Sequence, residues 1–524
     1  MTFSKHLAFH RFRSRNPIPR QWLAAAALAT LALTSCRGLQ EVNGRTESIP
    51  VSHTSSTRIS RAVRSSTDAH PGQSGFHLLV NGHDAFAARL LLADTAEKTL
   101  DVQYFIWKND LTGRILIERL LRAADRGVHV RVLLDDIGSM APDDKLAALD
   151  SHPNIEIRLF NPARVRSPKL AGIAWEPRRL TRRMHNKSFT ADGAVSIIGG
   201  RNIADEYFSA NEKMNFADLD VAMIGPAVKE VDDSFERYWN SRAAIDMDTV
   251  HHSRHTEQDL AIVRENLAHH DSVVRDSEYA TSLRDCKLNG YLKNHNVPYQ
   301  WGGARVIDDS PDKVLKTDEN TLLAKKLVDE VYRTRKELYL VSPYFVPGDS
   351  GVALLTDARK RGLRVVVVTN SLASNDGLHV HAGYKKYRIP LLREGVEIYE
   401  MKPTTTSKDW SVAASSGASL HSKTFAFDRR TLFVGSYNLD PRSRNLNTEI
   451  GVLIDSKNLA TAMPATVDSM LAQETYRVTL EGNHLVWISR ENGKEVRYDK
   501  EPATSWSRRA ICEVLGWLPI EDQL

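Results

Sequence analysis

Apolar and polar positions fall into two matching series along the chain. In the first, residues 85–96 carry apolar side chains at helical spacing, and Leu100-Asp101-Val102-Gln103-Tyr104-Phe105-Ile106 alternates as a strand does. A helix is predicted over 113–126, an apolar strand over 128–134 and a short strand over 155–159. The second series repeats that order, with a helix over 322–335, a strand over 338–346, a helix over 351–361, a buried strand over 362–368 and a short strand over 396–399. Strands alternating with helices predict an α/β class protein of two homologous domains, each a mixed β-sheet flanked by helices. The first domain is expected over 76–300 and the second over 301–524. Residues 245–300, polar and helix-prone, have no counterpart in the second series and read as a helical or loop extension of the first domain.

Upstream of the first series the pattern changes. Residues 37–75 are rich in Ser, Thr, Arg and Gly without an apolar period, so they read as a flexible tether. Residues 1–36 read as a secretory signal: a basic start, an apolar run from Trp22 to Leu33, then small residues. About 12 apolar residues fall short of the ~20 that span a bilayer. Leu33-Thr34-Ser35-Cys36 resembles a bacterial lipobox, which makes Cys36 the expected lipidation site and the chain a membrane-anchored, periplasm-facing lipoprotein. Arg37 follows it, and inner or outer membrane stays open.

The signal also accounts for the charge. The formal net charge is +5, and residues 1–35 hold five basic residues and no acid, so the remainder balances at 65 basic against 65 acidic side chains. A neutral body lacks the footprint of a non-specific nucleic-acid binder, and no nucleic-acid partner is expected. Beyond Cys36 there are two cysteines, Cys286 and Cys512, read as buried small residues that an oxidising compartment would allow to pair. His251, His252, His255, His269 and His270 suggest a metal cluster by count alone. With no Cys, Asp or Glu ligand set beside them they read as solvated helix or loop.

Chemistry enters with a duplicated motif. His185-x-Lys187-x4-Asp192 precedes Gly199-Gly200-x-Asn202, and His421-x-Lys423-x4-Asp428 precedes Gly435-Ser436-x-Asn438 at the same offsets, 236 positions later. At roughly 5% per position, one such copy arises by chance on the order of 10⁻⁴ times in a chain of this length, so two copies mark a duplication. Alternation around Phe189 and Phe425 places the motif on a strand, where residues i and i+2 share a face. Each half then offers an imidazole beside an ammonium. Brought together about a pseudo-twofold axis, two His and two Lys surround one phosphate.

This constellation resembles the phospholipase D superfamily over nearly all of residues 76–524. The resemblance implies two phospholipase D-like domains with one composite active site, no cofactor and no metal. It implies a ping-pong reaction in which one His attacks a phosphodiester and the other protonates the leaving alkoxide, then activates the incoming hydroxyl. His185 is the usual nucleophile and His421 the acid/base, although the two are symmetric in sequence. His185, Lys187, Asp192, His421, Lys423 and Asp428 form the catalytic motif, within which Asp192 and Asp428 read as structural. Lys187, Lys423, Asn202 and Asn438 would bind phosphate oxygens. Asp218, with Asp220 as a competitor, and Glu449 match the carboxylates that orient each His in the family.

The stretch 101–107, Gly200-Arg201-Asn202-Ile203-Ala204-Asp205-Glu206-Tyr207-Phe208, His379-Val380-His381-Ala382-Gly383-Tyr384 and the ending Leu515-Gly516-Trp517-Leu518-Pro519-Ile520 resemble the bacterial cardiolipin synthase branch, in particular its lipoprotein-like C-type members. The implied reaction is a phosphatidyl transfer to phosphatidylglycerol from a second phospholipid, phosphatidylglycerol or phosphatidylethanolamine, at a membrane. The alternatives are a hydrolytic phospholipase D, a nuclease and a non-enzymatic lipid-binding scaffold. His379 and His381 either line the site or serve structure. Trp487, Trp506 and Trp517 with Arg508 and Arg509 either pack the C-terminal segment or form an interfacial patch.

Overall fold

The computed structural model describes residues 56–524 apart from 140–141, 167–175, 212–213, 252–256, 275–276, 295, 316–321, 404–418 and 520. Cys36, the signal segment, His252, His255 and residues 37–55 lie outside the described residues.

The first half contributes β1 (Ser74–Leu79), β2 (Thr99–Tyr104), β3 (His129–Asp135), β4 (Ile155–Phe160), β5 (Ser188–Ala191), β6 (Val195–Gly199), β7 (Phe216–Ala217), β8 (Asp220–Ile224) and β9 (Ala244–Asp246). The second contributes β10 (Gln300–Asp308), β11 (Glu337–Val341), β12 (Arg364–Asn370), β13 (Glu397–Met401), β14 (Ser419–Leu420), β15 (Thr424–Phe427), β16 (Thr431–Gly435), β17 (Ile450–Asp455), β18 (Thr475–Glu481), β19 (His484–Glu491) and β20 (Lys494–Tyr498). In space the first half runs β9-β4-β3-β2-β5-β6-β8-β1 and the second β10-β17-β16-β15-β11-β12-β13-β18-β19-β20. β2, β3 and β4 are parallel, as are β11, β12 and β13, while the motif strands add to each trio antiparallel. Each sheet is therefore mixed, and the halves match strand for strand until the β19–β20 hairpin. β1 pairs antiparallel with β10, Gly75 opposite Trp301, so one hydrogen-bonded sheet runs through both halves about a pseudo-twofold axis.

Local chemistry explains the elements. The helix Gly82–Thr95 is capped by Asn81 and the helix Leu111–Asp125 by Asp110, each side chain accepting a backbone N–H of the first turn. The strand expected over 338–346 ends at Val341, just before Pro343, which has no N–H to offer a ladder. Aliphatic faces then make three large cores among the described residues. Two lie under the helices of either half; the third, with Ile198, Val221 and Met223 against Val434, Val452 and Ile454, lies between the halves. At about 1.5–3 kcal/mol for each such side chain buried, the halves hold together as one body.

Three expectations change. Residues 58–75 are not a tether: Arg58–Asp68 is a helix capped by Thr57, with Ile59 buried and Arg58 paired to Glu97, and β1 begins at Ser74. Within the extension the helix Glu257–Val274 is anchored rather than fully solvated, because Leu260 and Leu267 join the first-half core. His251 pairs with Asp144 there, and no group of three or more potential metal ligands occurs among the described residues. Cys286 is half-buried and Cys512 buried, both as free thiols.

Candidate active site

The segments that enter the two motifs are held by the opposite half. The His185 N–H donates to the Thr448 carbonyl at 2.9 Å, and the His421 N–H donates to Ala217 at 2.8 Å, beside the parallel pair β7–β14. The residue before each His is fixed by a side chain at the end of a central strand. In the first half Asp135, ion-paired with Arg183 at 2.8 Å, accepts the Met184 N–H at 3.0 Å. In the second, Asn370 brackets Leu420, accepting its N–H at 3.0 Å and donating to its carbonyl at 2.9 Å.

This crossing also exchanges the carboxylates. His185 Nδ1 lies 2.8 Å from Glu449, and His421 Nδ1 lies 2.6 Å from Asp218, so each imidazole is oriented by the half that does not carry it. A donated Nδ1–H leaves Nε2 as the reactive nitrogen. Ser436 and Ser443 hydroxyls both donate to Glu449. Asp218 rests against Gly200, where a Cβ would stand 2.2 Å from its Oδ1, so no larger residue fits. Asp220 is taken by Arg89 at 2.9 Å and does not compete for His421.

Both lysines follow their histidines onto the same face. Lys187 Nζ donates to the His185 carbonyl at 2.6 Å, and Lys423 Nζ contacts the His421 carbonyl and lies 2.9 Å from its Nδ1 and 3.2 Å from its Nε2. Asp192 and Asp428, grouped with the catalytic residues by the motif, sit instead at the far ends of β5 and β15. There they adopt left-handed backbone with φ of 51° and 53°. Asp192 accepts the N–H groups of Glu97, Lys98 and Thr99, and Asp428 those of Arg335, Lys336 and Glu337. Each ties its hairpin to the start of β2 or β11 and does no chemistry at the imidazoles.

The asparagines differ. Asn202 accepts from Ile106 N–H at 3.1 Å and donates to the Tyr207 hydroxyl at 2.9 Å, which leaves one amide hydrogen. Asn438 has a buried side-chain oxygen without a hydrogen-bond partner. Aromatic rings enclose the site: Phe105 stands edge-on to His185 at 5.0 Å between centroids, while Tyr207 and Phe216 flank His421 at 5.1 Å each.

This doubled imidazole site sits on sequence that matches one known family twice. The profile described as "Cardiolipin synthase, PLD-like domain" covers residues 91–239 and 327–471, more than half of the chain. The chain belongs to this cardiolipin synthase family of phospholipase D-like proteins. It is 42% identical over 474 residues to cardiolipin synthase C of Escherichia coli (strain K12), across 88% of this chain and 99% of that one. It is 24% identical to the major cardiolipin synthase ClsA of Bacillus subtilis (strain 168), across 74% of this chain and 67% of that one. Among solved structures, phosphatidylserine synthase from Haemophilus influenzae Rd KW20 shares the fold, with a TM-score of 0.53 at 14% identity over 80% of this chain and 91% of that one.

Charge separates the two imidazoles of this family member. Burial, then Lys187, Lys423, His421 and Arg442, hold His185 well below the usual imidazole range. Burial lifts Glu449 to about 7 against the pull of Lys187, Ser436 and Ser443. At Asp218 burial also acts upward, but His421, Lys423 and Arg201 outweigh it and hold the carboxyl down to about 2. His421 is lowered by burial and Lys423, with Asp218 and Asp376 opposing. Burial brings Lys187 to about 7 and Lys423 to about 8.

Sequence reasoning missed the ring walls. Phe105 and Tyr207 stand inside quoted stretches, and Phe216 directly precedes Ala217-Asp218, so proximity to the motif was the available signal. His381 is fully buried against Arg388 at 2.7 Å and Glu501 at 3.3 Å, a structural role, and His379 is exposed. Trp487 is buried and donates to Glu400 at 2.9 Å, while Trp506 and Trp517 are exposed. Among the described residues no helix is long and apolar enough to cross a membrane.

Proposed function

We propose that the protein is a phosphatidyltransferase that makes cardiolipin from phosphatidylglycerol and a second phospholipid. His185, held neutral by burial and its ring of cations, attacks the phosphorus through Nε2; the P–N bond forms as the bond to the leaving alkoxide breaks. His421, backed by an ionised Asp218, gives its proton to that alkoxide, and the head alcohol departs. The phosphatidyl group then passes to the hydroxyl of phosphatidylglycerol, whose proton returns to His421, and His185 is freed. Lys187, Lys423, Asn438 and the spare amide hydrogen of Asn202 hold the non-bridging oxygens as charge builds. Phe105, Tyr207 and Phe216 favour a lipid alcohol over water at the phosphohistidine.

The observation that carries the reading is the pair of crossed His–carboxylate contacts, His421 on an Asp218 held down to about 2 and His185 on a Glu449 raised to about 7. The anchor is a lipidated Cys36, which places the site on the periplasmic face of a bacterial membrane within reach of phospholipid. The test is purified protein with labelled phosphatidylglycerol, alone and with phosphatidylethanolamine. Cardiolipin is the expected product. Phosphatidic acid alone makes the protein a hydrolytic phospholipase D, and the absence of both products overturns the proposal.

A further inference from the structure

The C-terminal helix Trp506–Gly516 has two faces. Inward, Cys512 is buried and Leu515 packs with it against Leu372 and Ala382. The Arg508 guanidinium donates to the carbonyls of Leu372 at 2.9 Å and Asn375 at 2.6 Å. Outward stand Trp506 at 77% exposure, Ile511 at 51%, Val514 at 54%, Trp517 at 79% and Leu518 at 49%. At 3.6 residues per turn these five fall in an arc of roughly 140°, with Arg508, Cys512 and Leu515 on the opposite side. Nine large hydrophobic residues of the described chain are exposed; five of them lie in this helix and the turn after it. Scattered exposed apolar residues need no explanation, but a contiguous stripe does.

Position says what covers the stripe. Residues 372–375, which Arg508 holds, lead into Asp376, whose carboxylate accepts from the Tyr344 hydroxyl at 2.9 Å and acts on both His421 and Lys423. The helix is thus fixed to the rim of the catalytic site. A transferase whose two substrates are both bilayer lipids must bring that rim to the bilayer surface. Two tryptophans bracketing an aliphatic stripe have the composition of an interfacial element, with rings suited to the headgroup level.

We propose that Trp506–Gly516 and the following turn form a membrane-docking element that seats the catalytic rim on a phospholipid bilayer, independently of any acyl anchor at the N-terminus. This rests on the phosphatidyltransferase reading. The occupant of the stripe is the lipid surface itself, with Trp506, Ile511, Val514, Trp517 and Leu518 immersed at the headgroup boundary.

The test uses the full-length chain carrying Cys36→Ser, so that no acyl chain contributes, with and without Trp506→Ser plus Trp517→Ser. The Cys36→Ser protein is expected to float with phosphatidylglycerol vesicles, and vesicles with brominated acyl chains to quench part of its tryptophan emission. The double substitution is expected to lower vesicle binding and vesicle turnover at least about tenfold, since binding scales with the apolar area inserted. Turnover of short-chain phosphatidylglycerol below its micelle concentration should be unchanged. A Cys36→Ser protein that does not float, or a double variant that floats and is quenched like it, overturns docking. If the double variant also loses turnover of the monomeric lipid, Val514→Asp on the same face is read by flotation, and undiminished flotation overturns the proposal. Flotation with no turnover of any phosphatidylglycerol contradicts the transferase reading and leaves docking supported.

Discussion

Asp218 reaches His421 with a short side chain that rests on the bare Cα of Gly200. Glu449 reaches His185 with one methylene more, and Ser436, at the position equivalent to Gly200, donates to it. Both are fully buried, but His421, Lys423 and Arg201 hold the short carboxylate down to about 2, whereas burial outweighs the pull of Lys187, Ser436 and Ser443 on the long one and raises it to about 7. Duplication supplied two equal copies of an imidazole and an ammonium. A Gly/Ser difference and an Asp/Glu difference set the copies apart, and on the proposed mechanism they divide the labour, giving His421 a fixed negative neighbour that favours its imidazolium and His185 a weaker one. The support before each histidine diverged the same way, with an Arg183–Asp135 ion pair in one half and neutral Asn370 in the other.

The largest test of this contrast is paired neutralisation. Asp218→Asn removes the charge behind the proton donor and is expected to lower kcat about 10³–10⁴-fold, the scale seen when an orienting carboxylate is lost from a catalytic imidazole. Glu449→Gln, which removes a carboxylate already poised near neutrality, should cost at least about tenfold less. Equal losses in steady-state turnover would erase the distinction.

Next in size is the Gly/Ser position. Gly200→Ala drives a methyl into the Asp218 carboxylate and should cost about 100-fold through misplacement of His421. Ser436→Ala removes one of two hydroxyl donors to Glu449 and should cost about tenfold, the worth of a hydrogen bond to a charged group. A Gly200→Ala enzyme with full activity would show that Asp218 does not need this contact.

The smallest effect separates the lysines by pH. An ammonium is charged below its pKa, so raising the pH discharges Lys187 from about 7 and Lys423 from about 8, and both lose their hold on an anion. Inhibition by sulfate, whose own charge is fixed in this range, should weaken as the pH rises through about 7 and 8, by up to about tenfold per pH unit for each lysine discharged. Lys187→Arg keeps its charge and should shrink the lower step to what the ionisation of Glu449 near the same pH contributes. Inhibition that strengthens with pH would contradict the assignment.

Much of this was legible in the chain. The strand period around Phe189 and Phe425 puts each lysine beside its histidine, and the repeat locates both copies. Asp218 and Glu449 could be found by position, but not their exchange. Each lies downstream in its own half, and only the pairing of β7 with β14 and of Met184 with Thr448 carries it across. Phe105 lies in a stretch that reads as a strand and Phe216 just before Ala217-Asp218, and a period does not report what a ring faces. The helix Arg58–Asp68 leaves no apolar period in the sequence, because Ile59 is its one buried residue. The hairpin β19–β20 carries its own signal in Asn492-Gly493, a two-residue turn in which both residues have positive φ.

The central claim is that His185 is the nucleophile and His421 the proton donor. It is tested most directly by trapping label from phosphate-labelled phosphatidyl substrate with a good leaving alcohol, quenched in alkaline detergent because a P–N bond is lost in acid, in the His421→Ala and His185→Ala proteins. His421→Ala should accumulate label on His185, since a leaving group that departs unprotonated does not need the donor, and His185→Ala should carry none. Label on His421 in the His185→Ala protein would contradict the assignment.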